Sequence, residues 1–306
     1  MNQRAEACDF RATRRKLPPD AFALGPEEPD PAPQDPVEEQ VWNSIVSLPD
    51  DVSIRTSDSH GFQLKTMHEL WGSWIESVGE EQDSMYYVMS DVGDEYQACV
   101  FNVLCGFYRV AASCLRSALE LTCHGTYFQL RSASGDAEEV LKWKQRGKGS
   151  KSFKDLRKYF RDQCREPQVR RLEDHLCAQQ YGSGPPWSVF GRKPPQRASS
   201  WAERLYGELS NFAHSRPNHS SAATWEGSNG PIYVQESFGT VYTLYLETMA
   251  LCYVLVKLAR PSFQLPRAAV RLLCPGSPVL APKVVIYSYE FLWGSPQSTG
   301  NGGHLA

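Results

Sequence analysis

The stretch ELSNFAHSRP, residues 208–217, places a histidine where a predicted helix ends. Pro217 prevents the helix from continuing, so His214 falls in its last turn, where the helix dipole favours a positively charged imidazole. Three other polar residues share this face of the helix, namely Glu203, Tyr206 and Ser210. A histidine in such a polar stripe either transfers protons as a general acid or base or satisfies the last carbonyl groups of the helix.

A second polar stripe lies on the predicted helix YRVAASCLRSALELTCHGTYF, residues 108–128. Six polar residues fall within about 80° of one another on this helix: Arg109, Ser113, Arg116, Glu120, His124 and Tyr127. Most of the remaining residues are Val, Ala, Leu or Cys, so we expect the helix to be buried. Buried charges must pair or face a cleft, because burying them alone is costly. Arg116 and Glu120 can pair at i and i+4, and Glu120 can orient His124 one turn further on.

A shorter stripe of Thr240, Thr243 and Glu247 follows on a third apolar helix. If the three helices are neighbours, their polar stripes converge on one pocket. The predicted catalytic residues of that pocket are Arg116, Glu120 and His214. The predicted supporting residues are Arg109, His124, Tyr206, Ser210, Asn211 and Glu247. The alternative is that the stripes are internal salt-bridge ladders that only fix the packing of adjacent helices.

A basic stretch from Lys142 to Arg171 predicts contacts with phosphate. It holds twelve Lys or Arg residues against three acidic residues, and Trp143, Phe153 and Tyr159 lie among them. Cations interleaved with aromatic rings suit phosphate binding and base stacking, although a solvated basic helix has the same composition. The predicted nucleic-acid contacts are Lys148, Lys151, Lys154, Arg157, Lys158 and Arg161.

Several other kinds of site are disfavoured by spacing. The segment RGKGSKS, residues 146–152, lacks the leading glycine of a P-loop, and His214 and His219 are five residues apart rather than the four of a helical metal pair. The nine cysteines are odd in number and form no CxxC motif, which is typical of reduced thiols rather than of a disulfide framework or a zinc ribbon. The sequence therefore predicts no metal and no cofactor.

Composition and periodicity predict a mostly α-helical protein. Hydrophobic residues make up 41%, charged residues 22%, and the net charge is -3, which gives no global attraction to nucleic acid. We expect a multi-helix bundle over residues 36–260. A disordered or loosely attached segment, residues 1–35, precedes it. An irregular C-terminal appendage and flexible tail, residues 261–306, follows, and its stretch LPRAAVRLLCPGSPVLAPKVVIYSYEF suggests a short helix and room for one or two short strands.

The expected helices are read from apolar periodicity and from helix-ending signals. They cover residues 36–46, 64–78, 84–131 with a break or kink near Gly106, 150–178, 200–215 and 239–259. A loop is expected at 182–196 and a short strand around 231–235.

Residues 241–259 approach the length of a membrane span, but Glu247 interrupts them, so we expect a buried core helix. The N-terminus lacks the apolar segment of a secretory signal, which predicts a cytoplasmic protein with no membrane partner.

Four segments carry a resemblance to a group of uncharacterised bacterial helical proteins. They are LRSALE (115–120), LSNFAHSRP (209–217), SNGPIYV (228–234) and LVKLARP (255–261). This likeness covers roughly residues 50–265. Through Asn211 and His214, the chain also resembles, more distantly, the HEPN-type helical bundles, many of which are ribonucleases of toxin and phage-defence systems. The resemblance implies RNA as the substrate or partner, and a homodimer.

The chain departs from the HEPN pattern at one position. In active HEPN nucleases, an arginine precedes the histidine by less than two turns of the same helix. Here Gly207, Glu208 and Leu209 occupy those positions, so the resemblance implies that Arg116 or Arg216 takes the arginine's role.

Two functions therefore stay open. In the first, the chain binds or cleaves RNA: Arg116 binds phosphate, Glu120 orients, and His214 is the general acid or base. In the second, it is a non-catalytic helical interaction or regulatory protein, and its polar stripes are structural.

Overall fold

The computed structural model describes residues 38–78, 83–146, 151–163, 166–178, 187–192, 198–214, 231–273 and 277–293. The chain forms two compact units, Met1–Asn43 and Ser44–Ala306. In the first unit, the described residues form the short helix α1 (Glu39–Trp42), and a π-helical segment, Asn43–Ser47, comes next in the chain. Residues 1–35, for which disorder is predicted, lie outside the described ranges. Every element and site below belongs to the second unit.

The second unit is mostly α-helical, as predicted. Its helices are α2 (Leu48–Glu76), α3 (Ser84–Leu104), α4 (Tyr108–Ala133), α5 (Ala137–Arg146), α6 (Phe153–Gln163), α7 (Pro167–Ala178), α8 (Trp201–Ala213), α9 (Gln235–Ala259), α10 (Arg267–Leu273) and α11 (Lys283–Trp293). Within the described ranges, the β-structure consists of β1 (Trp187–Ser188) paired in parallel with β2 (Ser199–Ser200), and an isolated bridge between Arg192 and Ala198.

The break predicted near Gly106 is confirmed. Helix α3 ends at Leu104 and α4 begins at Tyr108, while Gly106 between them has a φ of 80°, a conformation that strains other residues. The two helices then pack against each other along their lengths. The turn at Gly106 therefore sets the angle at which α4 enters the core, and α4 carries the predicted polar stripe.

Helix α9 is the apolar centre of the unit. It packs against α4, α8, α11, α2 and α3, and almost all of its residues from Val241 to Leu258 are buried. Burial of each leucine or phenylalanine side chain contributes about 1.5–3 kcal/mol to the stability of the folded protein. This helix is long and apolar enough to cross a membrane by length and composition, yet 94% of its most apolar window is buried inside the protein. Such burial is what the core helix of a soluble protein shows.

Aromatic side chains join α2 and α3 to this centre. The indole of Trp74 on α2 donates a hydrogen bond to the Met89 carbonyl on α3 at 2.8 Å, and its ring contacts those of Tyr96 and Tyr253. The Tyr245 hydroxyl donates to the Met67 carbonyl at 2.9 Å. The polar tips of Trp74 and Tyr245 thus find partners while the rings pack, which fixes the arrangement of the helices.

The strand predicted near residues 231–235 is not found, and the described part of the C-terminal segment forms the predicted short helix, α10, and a further helix, α11, where a strand was expected. Residues 231–234 have no regular structure and α9 begins at Gln235, while KVVIYSYEFLW forms α11. Its β-branched and aromatic composition suggested a strand. Instead, Val285, Ser288, Tyr289 and Leu292 are buried at helical spacing, and the helix packs on α7 and α9. Tertiary burial of one helical face outweighs the local strand propensity.

Candidate functional site

Helices α4 and α8 are neighbours, and their polar stripes meet. The predicted convergence is found for four side chains, which form a polar cluster: Arg116 and Glu120 of α4, and Tyr206 and His214 of α8. Helix α8 is held in register at its start by Ser200, whose hydroxyl accepts a hydrogen bond from the Glu203 amide at 3.1 Å. His214 ends the helix, and its amide donates to the Ser210 carbonyl at 3.0 Å.

Arg116 is the centre of the polar cluster. Its Nε and Nη2 both donate to Glu120 Oε1, at 3.2 and 3.0 Å, and Nη2 also lies 3.3 Å from the Tyr206 hydroxyl. Its Nη1 lies 3.2 Å from Nε2 of His214. The guanidinium carbon also stands 5.4 Å from the centre of the Tyr206 ring. These contacts hold the guanidinium plane in one orientation.

The direction of each hydrogen bond fixes the protonation of the cluster. Because arginine only donates, Nε2 of His214 must accept, so the ring carries its proton on Nδ1 in this arrangement. The Tyr206 hydroxyl donates to Glu120 Oε1 at 2.8 Å, and burial together with this hydrogen bond raises its pKa. Burial alone would lower the pKa of Arg116, but its contacts with Tyr206 and Glu120 raise it overall. The cluster thus presents a charged guanidinium beside an unprotonated imidazole nitrogen.

The polar cluster reaches the protein surface. The Arg116 side chain is 19% exposed, that of Glu120 is 37% exposed, and His214 is exposed. An ion pair this open contributes at most about 1 kcal/mol to stability. Stability alone therefore gives a weak reason for placing these four groups together.

Helix α6 and the residues before it cover one side of the cluster. The Phe153 ring stacks on the Tyr206 ring, with centres 3.9 Å apart and planes 3° from parallel. His124 lies with Nδ1 3.0 Å from the Glu120 carbonyl and Nε2 3.3 Å from the Lys151 carbonyl. Because both partners are acceptors, both bonds form only when the ring is doubly protonated. His124 therefore joins α4 to the start of α6 rather than entering the cluster.

The remaining predicted supporting residues lie around the cluster or away from it. Arg109 is half-buried two turns before Arg116, and its guanidinium makes no hydrogen bond or ion pair with the described residues. Ser210 is buried, and its hydroxyl has no partner in the described part of the chain. Asn211 is half-buried on α8. Glu247, which was predicted to support the pocket, instead contacts Trp201 and Arg204 of α8 and no residue of the polar cluster.

The residues predicted to contact nucleic acid differ in how exposed their side chains are. Lys151, Lys154 and Lys158 are exposed, and the Lys151 ammonium stands 5.9 Å from the centre of the Tyr127 ring. Arg157 instead donates to the Phe190 carbonyl at 3.1 Å and pairs with Glu203 at 3.2 Å, while Arg161 pairs with Asp162 at 3.3 Å. Lys148 lies outside the described residues. Three lysines are therefore exposed on α6 or just before it, while Arg157 and Arg161 form ion pairs with carboxylates.

Glu247 is a buried carboxylate that forms a separate ion pair with the exposed Arg204, which the sequence interpretation missed. Its Oε2 accepts from the Trp201 indole at 3.0 Å and from Arg204, which also binds Glu208 at 2.9 Å. Burial raises the pKa of Glu247 even though Arg204 and Trp201 act to lower it. Burial outweighs the ion pair because Arg204 divides its charge between two carboxylates while the Glu247 side chain is only 8% exposed.

Replacing Glu247 with glutamine is expected to remove a pH-dependent loss of stability. Because its pKa is raised in the folded protein, the folded chain keeps a proton that the unfolded chain releases. The wild-type free energy of unfolding should fall as the pH rises from the ordinary value of 4.5 through the raised pKa. In urea unfolding measured across about pH 4–8, the free energy of unfolding of the variant should rise relative to that of the wild type by on the order of 1 kcal/mol. A pH-independent difference would contradict this.

The polar cluster contains groups that can bind an anion and accept a proton. An oriented guanidinium can bind a phosphate or another oxyanion, and the adjacent imidazole nitrogen can accept a proton. Among the described residues, no group of three His, Cys, Asp or Glu side chains is placed to hold a metal ion. The cluster combines, at the protein surface, an oriented guanidinium with an imidazole nitrogen that accepts a hydrogen bond. No protein-family model, curated protein or solved structure matches the chain.

Proposed function

We propose that the chain binds RNA and cleaves it at the polar cluster. The observation that carries the proposal is the 3.2 Å contact between Arg116 Nη1 and the unprotonated Nε2 of His214, at a place open to solvent. An RNA phosphate replaces His214 as an acceptor of Arg116, which leaves Nε2 free to act as a base. The distant resemblance to HEPN-type bundles points to the same class of substrate.

The reaction uses the 2′-hydroxyl of the substrate as the nucleophile. His214 accepts the 2′-hydroxyl proton as the 2′-oxygen bonds to the adjacent phosphorus. The bond from phosphorus to the 5′-oxygen breaks, solvent protonates that oxygen, and a 2′,3′-cyclic phosphate results. Arg116 stabilises the charge that develops on the phosphoryl oxygens. Glu120 and Tyr206 position Arg116 and do not touch the substrate.

Three exposed lysines extend the binding surface. Lys154 and Lys158 lie one turn apart on one face of α6, and Lys151 lies two residues before the helix begins. They contribute phosphate contacts without sequence preference, so RNA affinity should weaken as salt rises. In this proposal, the protein acts in the bacterial cytoplasm in a defence or toxin-type role, as a homodimer.

Replacing His214 with alanine tests the proposal. Wild-type protein incubated with a mixed cellular RNA pool should release fragments with cyclic phosphate ends, and the variant should cleave at least about 100-fold more slowly. Because His214 is exposed and ends its helix, its loss should cost less than about 1 kcal/mol of stability. The rate of fragment release and the thermal midpoint are the two measurements.

The matched control is His68→Ala, which removes another exposed histidine, on α2, whose ring contacts Trp71. It should cleave like the wild type. If the wild-type protein releases no fragments, or if both histidine variants lose activity equally, the ribonuclease proposal fails.

A second function is supported by the closed hydrogen bonding of the cluster. Arg116, Glu120 and Tyr206 all satisfy one another, as a structural link between α4 and α8 requires. In that case, the chain is a non-catalytic interaction or regulatory protein. His214→Ala would then lower the thermal midpoint clearly, and no RNA cleavage would be seen with either protein.

A further inference from the structure

A cavity lies between α7, the segment after α9, and α11, and none of its lining residues belongs to the polar cluster. Its volume is about 560 Å³, within the range of small-molecule sites. The residues that line it and matter for its chemistry are Gln168, Arg171, Gln264, Glu290, Phe291 and Trp293. None of them belongs to the proposed RNA site.

The cavity carries one positive and one negative side chain that do not neutralise each other. Arg171 and Glu290 both line it, yet neither makes an ion pair or a hydrogen bond with any described residue. Arg171 is exposed and Glu290 is half-buried on α11. Two opposite charges that face one cavity and stay apart match a ligand that itself carries both charges.

A buried lysine lies behind one wall of the cavity. Lys257 is 1% exposed and donates to the Phe263 carbonyl at 2.8 Å, one residue before Gln264 of the lining. It has no carboxylate within ion-pair distance in the described part of the chain, but the Glu166 carboxylate acts on it at longer range and offsets part of its charge. Because Lys257 is buried, Arg171 is the cation of the lining that a ligand carboxylate can reach.

Uncharged parts of the lining complete the description of the ligand. The Phe291 and Trp293 rings provide an apolar wall, and Trp293 is held by packing on Tyr253 and Phe263. Gln168 Oε1 and Trp293 Nε1 are buried and have no partner among the described residues. Such unsatisfied atoms are costly, and small rotations of these side chains would let a polar ligand satisfy them.

We propose that this cavity binds a free α-amino acid with an apolar side chain. The amino-acid carboxylate pairs with Arg171, its ammonium pairs with Glu290, and its side chain packs on Phe291 and Trp293. This site is independent of RNA cleavage, and each proposal can fail without the other.

Calorimetric titration of the full chain tests the assignment. L-phenylalanine should bind about tenfold tighter than phenethylamine, which lacks the carboxylate, or 3-phenylpropionate, which lacks the ammonium group. Arg171→Met should weaken L-phenylalanine binding about tenfold and leave phenethylamine binding unchanged. Glu290→Gln should also weaken L-phenylalanine binding, but it should leave the binding of 3-phenylpropionate unchanged.

The matched control is Arg170→Met, because Arg170 is an exposed neighbour on α7 outside the lining. It should bind L-phenylalanine like the wild type, and all three variants should keep the wild-type thermal midpoint. The proposal is overturned if the wild type binds none of L-phenylalanine, L-leucine, L-methionine or L-tryptophan at millimolar concentration. It is also overturned if Arg170→Met and Arg171→Met behave alike.

Discussion

Replacing Arg116 with methionine is expected to lower RNA cleavage by about 10²–10³-fold while costing less than about 1 kcal/mol of stability. The activity loss follows because the proposed mechanism uses the guanidinium to stabilise charge on the phosphoryl oxygens. The stability loss is small because Glu120, the partner left behind, is 37% exposed and keeps its hydrogen bond from Tyr206. Single-turnover cleavage rates and urea unfolding measure the two effects.

A second arginine on a neighbouring helix provides the matched control. Arg204 also pairs with a carboxylate, but its partner Glu247 is 8% exposed and would be left buried without its cation. Arg204→Met should therefore cost about 3 kcal/mol of stability and leave the cleavage rate per folded molecule unchanged. If Arg116→Met destabilises the protein as much as Arg204→Met, the polar cluster is structural.

A lysine at the same position separates charge from geometry. Arg116→Lys keeps a positive charge but cannot contact Glu120, Tyr206 and His214 at once, because an ammonium lacks the planar fork. Its cleavage rate should fall between those of the wild type and Arg116→Met. A lysine variant as slow as the methionine variant would mean that orientation of the guanidinium matters more than its charge.

The faces of α4 and α8 could be predicted from the sequence because helical periodicity assigns each residue an angle. Arg116 and Glu120 are at i and i+4, so their contact follows from one helix alone. Which faces meet is a different matter, because periodicity says nothing about helix neighbours. Tyr206 and Glu247 both lie on polar stripes, yet Tyr206 contacts Arg116 whereas Glu247 contacts Arg204.

The error at α11 shows where local propensity fails. The segment VVIYSYEF is rich in residues that favour strands, whereas its burial at 285, 288, 289 and 292 has the helical period. Composition and periodicity disagreed there, and packing against α7 and α9 decided in favour of periodicity. Pro282 just before the first turn was a usable helix-start signal.

The amino-acid cavity could not be predicted from sequence at all. Arg171, Gln264 and Glu290 come from separate elements, and each alone has the character of an ordinary surface residue. Arg171 even fell inside the basic stretch that suggested phosphate contacts. A site of this kind arises only when the helices pack, because its chemistry depends on which charges face each other without touching.

Replacing Gly106 with alanine is expected to destabilise the protein by about 3 kcal/mol or more. Gly106 has a φ of 80°, which costs an alanine about 1–2 kcal/mol. A new Cβ would also collide with the backbone of Ile232, whose nitrogen would be only 2.8 Å away. That backbone cannot move freely, because the Val234 amide two residues on donates to the Tyr108 hydroxyl at 3.0 Å.

Gly93→Ala is the control that separates backbone strain from crowding alone. Its Cβ would lie 2.5 Å from Cδ1 of Ile75, the end of a side chain that is 43% exposed and can rotate away. Alanine also favours the interior of α3 by up to about 1 kcal/mol, which offsets the rotation. We therefore expect a thermal midpoint near that of the wild type for Gly93→Ala and a fall of roughly 6–12 °C for Gly106→Ala. Equal shifts in the two variants would mean that the turn between α3 and α4 tolerates a side chain and does not fix the position of α4.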